Sequence, residues 1–331
     1  MTLRDIYGRK HDYLRISVTD RCNLRCIYCM GADGVEQISH RDILRYEEIM
    51  QVVRVGAALG ITKIRLTGGE PLVRKNIISL VEQIARVPGI EDISMTTNGI
   101  LLSRYAADLK KAGLKRVNIS LDSLDSKVYR RTTRGGDLEQ VLSGIDAALM
   151  EDLTPVKVNV VLMNGLNDKD IPAFLQLAND KPLHVRFIEY MPIGDHDRVY
   201  QDRYLPLDSI LEMASAREME LTPNPAASGG GPSENYILPE GKGTIGLIHP
   251  ISKHFCSTCN RLRLTADGLL KPCLYWQEEY PVRPALGDEE AISSLLQEVL
   301  LEKKSSHQMN PSQQTGNLRA EEMRGMSRTG G

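Results

Sequence analysis

A parallel α/β fold, curved into a partly closed barrel, is the architecture this sequence predicts. Three observations select it. Strand-like runs alternate with helical patterns six times between about residues 13 and 216, with short connections, as in a parallel sheet crossed over by helices. Each strand carries one polar stripe, although strands of a parallel sheet covered on both faces read as nearly continuous apolar runs. A loop with three cysteines follows the first strand, and α/β barrels carry their chemistry at the C-terminal ends of strands. An open doubly wound sheet is the competing closure. It has no use for a polar stripe on every strand, whereas a barrel turns such stripes into a wet interior.

The elements follow in order. Tyr13–Val18 is a strand, and the cysteine loop comes after it. Glu47–Leu59 has helical periodicity and stops at Gly60, a residue suited to the position just past a helix C-terminus. Thr62–Thr67 is the second strand, followed by Gly68-Gly69-Glu70-Pro71 and a helix reaching Val87. Pro88-Gly89 turns the chain into strand Asp92–Thr97. Asn98-Gly99 turns it again, into a helix that reaches Ala112 and is stopped by Gly113. Arg116–Leu121 is the fourth strand, with Leu138–Met150 as its helix. Val156–Met163 is the fifth, with a helix from about Asp170. His184–Tyr190 is the sixth, with Leu207–Ala216 as a helix.

Successive strand residues point to opposite faces. Arg15 and Ser17 therefore share a face, as do Lys63, Arg65 and Thr67 on the second strand. The third offers Ser94 and Thr96, the fourth Asn118, Ser120 and Asp122, the fifth Lys157 and Asn159, and the sixth Arg186. The apolar stripes meet the outer helices. The polar stripes line a lumen whose Lys and Arg side chains suit an anion with several charges, such as a triphosphate.

Cys22, Cys26 and Cys29 are spaced C-x3-C-x2-C. Soft thiolates select zinc, copper(I) or an iron–sulfur cluster. A structural zinc site takes four ligands, and this loop offers three. A cubane held by three cysteines leaves one iron open. The other cysteines, Cys256, Cys259 and Cys273, form a second triple, C-x2-C-x13-C. A zinc knuckle completed by His254 or His249 is the alternative there. Two complete triples favour metal sites over a disulfide framework.

The C-terminal part changes character. Residues 224–232 form a Gly/Pro-rich loop, and Tyr236–Pro239 with Thr244–His249 reads as a hairpin. Arg261–Thr265 and Leu269–Cys273 flank an Asp-Gly turn, which returns Cys273 beside Cys256 and Cys259. Arg261 and Arg263 share one strand face beside this triple. Gly287–Lys304 is a final helix, and a polar tail of residues 305–331 ends in Gly330-Gly331. The expected division is a partial barrel over 1–216, a second cysteine domain over 217–304, and the tail.

The 331 residues are 41% apolar with net charge −2. Neither nucleic acid binding nor a membrane span is expected. The N-terminus shows no apolar secretory segment, and six cysteines without one fit the reduced cytoplasm.

C-x3-C-x2-C with an aromatic, Tyr28, before the last cysteine resembles the signature of radical S-adenosylmethionine (SAM) enzymes. The Gly68-Gly69-Glu70 segment one unit later resembles the stretch that takes the SAM amino group. Leu14–Met30, Ile64–Leu72, Thr96–Gly99, Asn118–Asp122, Val156–Asn159, Phe187–Met191, the C-x2-C-N-R-L-R hairpin and the Gly-Gly end occur together in order. They resemble the GTP 3′,8-cyclase family of molybdenum cofactor biosynthesis over essentially the whole chain. Two departures are Gly31-Ala-Asp-Gly34 after the third cysteine and Thr329 before the final glycines.

The resemblance implies an incomplete (β/α)6 TIM-type barrel closed by a C-terminal α+β iron–sulfur domain, with a [4Fe–4S] cluster on each triple. It implies SAM contacts at Tyr28, Gly69, Ser120 and Met191. It implies GTP contacts at Arg15, Arg65, Thr96, Lys157, Arg261, Leu262 and Arg263, with catalytic parts for Arg15, Arg261, Arg263, Gly330 and Gly331. Reductive cleavage of SAM would yield a radical that takes hydrogen from C3′ of GTP, and C3′ would then close on C8. It further implies a homodimer, a one-electron donor of flavodoxin or ferredoxin type, and a downstream cyclic pyranopterin monophosphate synthase. A peptide-modifying radical SAM enzyme with an auxiliary cluster is the alternative within enzymes, and a non-catalytic iron–sulfur or zinc scaffold is the alternative outside them.

Overall fold

Apolar residues recurring every second position in the strands and every three or four in the helices assemble a single curved sheet with helices outside it. The computed structural model describes residues 2–191, 193, 200–225, 231–309 and 329. Gly330, Gly331 and most of the loop at 224–232 lie outside these residues.

Six parallel strands form the wall: β1 (Tyr13–Ser17), β2 (Lys63–Thr67), β3 (Asp92–Thr97), β4 (Arg116–Ser120), β5 (Lys157–Leu162) and β6 (His184–Glu189). Each pairs with its predecessor in chain order. That single direction of winding is what a barrel needs; a doubly wound sheet reverses order at a switch point.

The outward faces are closed by helices α1 (Tyr46–Ala58), α2 (Ile77–Ala85), α3 (Leu102–Lys111), α5 (Leu138–Met150) and α6 (Ile171–Asp180). Ile77, Leu80, Val81 and Ile84 of α2 are buried at helical spacing. Beneath the helices lie Leu14, Ile16, Ile64, Leu66, Val117, Ile119, Val158, Val160 and Phe187, all fully buried. Truncating any such Leu or Ile to Ala costs about 2–5 kcal/mol.

Helix α4 (Ser126–Thr133), between β4 and α5, is absent from the sequence expectation. Its residues are mostly polar and only Tyr129, Thr132 and Thr133 are buried, so it has little apolar period. What starts it is Asp125, whose carboxylate accepts from Lys127 N and Val128 N at 2.8 and 2.9 Å. A short α7 (Tyr200–Arg203) is likewise unanticipated, while α8 (Asp208–Ser215) and α9 (Glu289–Leu301) stand where expected, one to three residues shorter at their ends.

The C-terminal region extends both edges of the wall. On the β6 side come β9 (Thr244–Ile248), β8 (Glu234–Ile237) and β7 (Thr222–Pro223). On the β1 side come β10 (Arg261–Leu264), β11 (Leu269–Lys271) and β12 (Tyr280–Pro281). The expected hairpins are β8–β9 and β10–β11, both antiparallel. β9 and β10 join β6 and β1 in parallel, so the sheet runs unbroken across residues 216–217.

Candidate active site

Strand β1 points its C-terminal end at the first cysteine triple. The loop after it is laced to the loop after β2: Gly69 N donates to Thr19 O and Glu70 N to Arg21 O, each at 2.7 Å. A Cβ on Gly69 would lie 2.3 Å from Arg21 O, and one on Gly68 2.4 Å from Thr19 O. These glycines are thus demanded by the cysteine loop packing against them, in addition to any approach by a ligand.

Glu70 is buried and accepts from Leu72 N, Thr97 Oγ1 and Asn98 N at 3.0, 2.8 and 2.7 Å. Burial pushes its carboxyl up to about 7. Asn98 in turn donates to Asn23 Oδ1 at 2.8 Å and to Cys22 Sγ at 3.8 Å. The far side of the cysteine loop is held by the C-terminus of α4. Arg25 N and Ile27 N donate to Thr133 O and Thr132 O at 3.1 and 2.9 Å. Arg134, at φ +53°, donates to Arg25 O and Met30 O at 2.9 and 2.7 Å. Tyr28 OH donates to Asp122 Oδ2 at 2.8 Å, and burial raises the Asp122 carboxyl to about 6. Burial also drives the Cys22 thiol up and the Cys26 thiol well above its ordinary value.

Register builds the middle of the lumen. β10 and β2 flank β1 so that Arg263, Arg15 and Arg65 lie side by side in one row. The row beneath is Arg261, Tyr13, Lys63 and Asp92. Arg186 donates to Asn159 Oδ1 at 2.9 Å, and the Asn118 oxygen, suitably turned, accepts from Arg65 and Arg186. Eight Lys and Arg but three Asp and Glu line the cavity. Of the carboxylates at this end, Asp92 is engaged by Arg116, and Asp12 by Lys63 at 3.2 Å. Burial and neighbouring cations lower Arg15 well below its usual value, Arg186 to about 9 and Arg263 to about 10. A wall with such an excess of desolvated cations is an anion receptor.

The second triple stands at the opposite end. β10 runs parallel to β1 with Arg261 beside Tyr13, so Cys256 and Cys259 precede the start of the wall. The antiparallel β11 returns Cys273 to them. Five residues of β1 separate the two ends, about 16 Å at the usual strand rise. Burial would raise the Cys259 thiol, but Lys303 and Arg261 overcome it and hold the thiol below its ordinary value.

All six cysteines are free thiols and line one cavity of about 380 Å³. The same cavity is lined by Tyr28, Gly69, Ser120, Met191, Arg15, Arg65, Thr96, Lys157, Arg261 and Arg263. Thr96 Oγ1 is buried there with no hydrogen-bond partner among the described residues. Leu262 points the other way, fully buried in the core, so only its backbone faces the lumen side. His249 pairs with Glu189 at 3.6 Å, and His254 packs edge-on against His307. Among the described residues no three His, Cys, Asp or Glu converge on a single-ion site.

Lining residues to which the sequence assigned no part include Tyr13, Asp92, Arg116 and Asn98. The period-two signal contained three of them: Tyr13 shares the parity of Arg15, Asp92 that of Ser94 and Thr96, and Arg116 that of Asn118. Asn98 and Arg134 act through loop contacts that no local pattern announces.

Residues 16–178 match the radical SAM superfamily, and residues 183–309 match Molybdenum Cofactor Synthesis C. Streptococcus suis SuiB bound to S-adenosylmethionine has the same fold, with TM-score 0.60 at 14% identity over 88% of this chain and 69% of that one. The barrel with its C-x3-C-x2-C rim is therefore that of a radical SAM enzyme. Among curated relatives, the GTP 3′,8-cyclase of Listeria monocytogenes serovar 1/2a is 49% identical over 307 residues, 93% of this chain and 92% of the relative. That of Alkaliphilus oremlandii is 48% identical over 330 residues, 99% of this chain and all of the relative. That of Moorella thermoacetica is 54% identical over 284 residues, 86% and 87% of the two chains. The chain belongs to the GTP 3′,8-cyclase family. Among the described residues no helix is long and apolar enough to cross a membrane.

Proposed function

We infer that this chain cyclises GTP to (8S)-3′,8-cyclo-7,8-dihydroguanosine 5′-triphosphate, the first step of molybdenum cofactor biosynthesis. The observation that carries the reading is a single cavity with a cysteine triple at each end and a row of guanidiniums between. A radical reaction on a polyanion needs the radical source, the anion receptor and a second anchor in one enclosed space, so that the reactive carbon meets only its target.

The donor sets suit [4Fe–4S] clusters: three soft ligands each, clustered on one loop and one hairpin. Cys22, Cys26 and Cys29 would hold the first, and Cys256, Cys259 and Cys273 the second. When bound, the clusters and SAM supply one-electron reduction and hydrogen removal. The protein's own part is placement. Tyr28, Gly69, Ser120 and Met191, which line the same cavity as the first triple, would hold SAM. Arg15, Arg65, Lys157, Arg261 and Arg263 would hold the triphosphate and orient the ribose, and Thr96 offers an unpaired hydroxyl to the nucleotide. Gly330 and Gly331 keep their proposed part in the radical step. A homodimer, a flavodoxin- or ferredoxin-type electron donor and a downstream cyclic pyranopterin monophosphate synthase belong to the same reading.

Peptide modification is not favoured. The relatives at 48–54% identity are GTP 3′,8-cyclases, and the likeness to SuiB is one of fold. Anaerobically reconstituted protein with SAM and dithionite tests the point. GTP should stimulate SAM cleavage and give a product isomeric with GTP, whereas cleavage stimulated equally by unrelated peptides would refute the reading.

A further inference from the structure

Lys303 lies two residues beyond α9 and is 3% exposed. A lysine ammonium is rarely buried without partners. Its three N–H groups reach Arg261 O at 2.7 Å, Pro272 O at 2.7 Å and Cys259 Sγ at 3.6 Å. These acceptors sit on both arms of the second triple: Cys259 and Arg261 on one, Pro272 beside Cys273 on the other. The ammonium is held in place from the opposite end of the chain. Arg9 donates to Lys304 O at 2.8 Å and Ser305 O at 2.9 Å, and to Cys256 O at 2.7 Å.

We propose that Lys303 is a positioning and tuning residue for an iron–sulfur cluster on Cys256, Cys259 and Cys273. It fixes the spacing of the two arms and, through its hydrogen bond to the Cys259 sulfur, raises the cluster's reduction potential. The proposal rests on the reading that the second triple holds such a cluster. Hydrogen bonds to the sulfurs, net charge and exposure set cluster potentials. Reduction adds one negative charge to the cluster, and a buried cation a few ångströms away stabilises that charge in a low dielectric. At the first triple, at the opposite end of the cavity, the Cys22 sulfur accepts from neutral groups, Leu24 N at 3.3 Å and Asn98 Nδ2 at 3.8 Å. The effect of Lys303 is therefore confined to the second cluster, and the first serves as an internal control.

The test is an EPR-monitored redox titration of the two-cluster holoenzyme with dithionite and mediators. The first cluster is identified by the change its spectrum undergoes on adding SAM. In Lys303→Met the second cluster's reduction constant should fall at least tenfold, which for a one-electron couple is about 59 mV, with the first cluster unmoved. Lys303→Arg, which keeps the charge, should recover most of the drop. An unchanged second potential in Lys303→Met with iron retained overturns the proposal. If Lys303→Met loses the second cluster, wild-type enzyme labelled with 15N-lysine decides: a 15N hyperfine coupling to the reduced second cluster supports the proposal, and its absence overturns it. Iron and sulfide analysis of the wild type separates the two levels. About four irons per chain instead of about eight would remove the second cluster, and the proposal with it.

Discussion

Lys157 lets the anion-receptor argument be tested as proton linkage. Burial, followed by the charges of Arg186, Arg116 and Arg65, lowers its ammonium from 10.5 to about 7. In the empty lumen it is therefore about half protonated at pH 7 and about one-tenth at pH 8. A bound triphosphate favours the charged form, so binding must take up a proton wherever the free side chain is neutral. GTP affinity should then weaken about fivefold between pH 7 and pH 8, ~1 kcal/mol. The terminal phosphate adds little over this range, since phosphate monoesters ionise near pH 6. Lys157→Met should abolish most of that slope. It should also weaken binding at pH 7 about tenfold or more, the worth of a charge-assisted contact at roughly 1.5–3 kcal/mol. Isothermal titration calorimetry at pH 8 in buffers of different ionisation enthalpy reads the proton directly. Close to one proton should be taken up per GTP by the wild type and almost none by the variant. Equal uptake by both would show that Lys157 does not face the phosphates, and an equal loss of SAM affinity would mean the wrong ligand was placed in the lumen.

Gly69→Ala puts a methyl 2.3 Å from Arg21 O, so the first cysteine loop must shift; iron content should drop to about half, with the second cluster's EPR signal kept, and full iron loading would refute the packing argument. Cys256→Ala should lose cyclisation while the first cluster still assembles; stoichiometric zinc at the second triple of anaerobically prepared wild type would contradict the cluster assignment. His11 is buried beside Asp5 at 3.0 Å, and burial together with the Lys303 charge lowers it to about 4. Its stabilising contribution is present above the unfolded value of 6.5 and lost as pH falls toward 4, about 3 kcal/mol in all. Thermal melts of the cluster-free chain should show a slope over this window that His11→Gln reduces, and an unchanged slope would rule it out as the source.

How much of this was legible in the sequence depended on range. Periods of two and 3.6 are local, so the six β-then-α units and the polar stripe could be read from them, and most of the stripe lines the cavity, with Ser17, Ser94 and Asn118 buried behind it. The cysteine spacings are local too. What could not be read is which strand lies beside which. Arg263 enters the row of Arg15 and Arg65 because β10 pairs in parallel with β1 across some 250 residues of chain, and no pattern within either strand encodes that pairing. The lattice of Glu70, Asn98 and Asn23 is likewise a contact of three loops. Helix α4 escaped notice because its role is to present carbonyls and Arg134 to the cysteine loop, which needs caps and backbone rather than an apolar face. Gly68 and Gly69 were legible as part of a segment resembling the stretch that takes the SAM amino group, but not for their steric reason, since the backbone that fills their Cβ positions belongs to another loop.

The measurement that tests the central claim most directly is the fate of one hydrogen. Anaerobically reconstituted enzyme is incubated with SAM, dithionite and GTP carrying deuterium at C3′. Mass spectrometry then follows 5′-deoxyadenosine and the nucleotide. Cyclisation in this cavity predicts that the deuterium moves into 5′-deoxyadenosine and that a dihydro nucleotide closed between C3′ and C8 appears in step with it. Formation of unlabelled 5′-deoxyadenosine at the same rate with GTP present or absent would contradict the account.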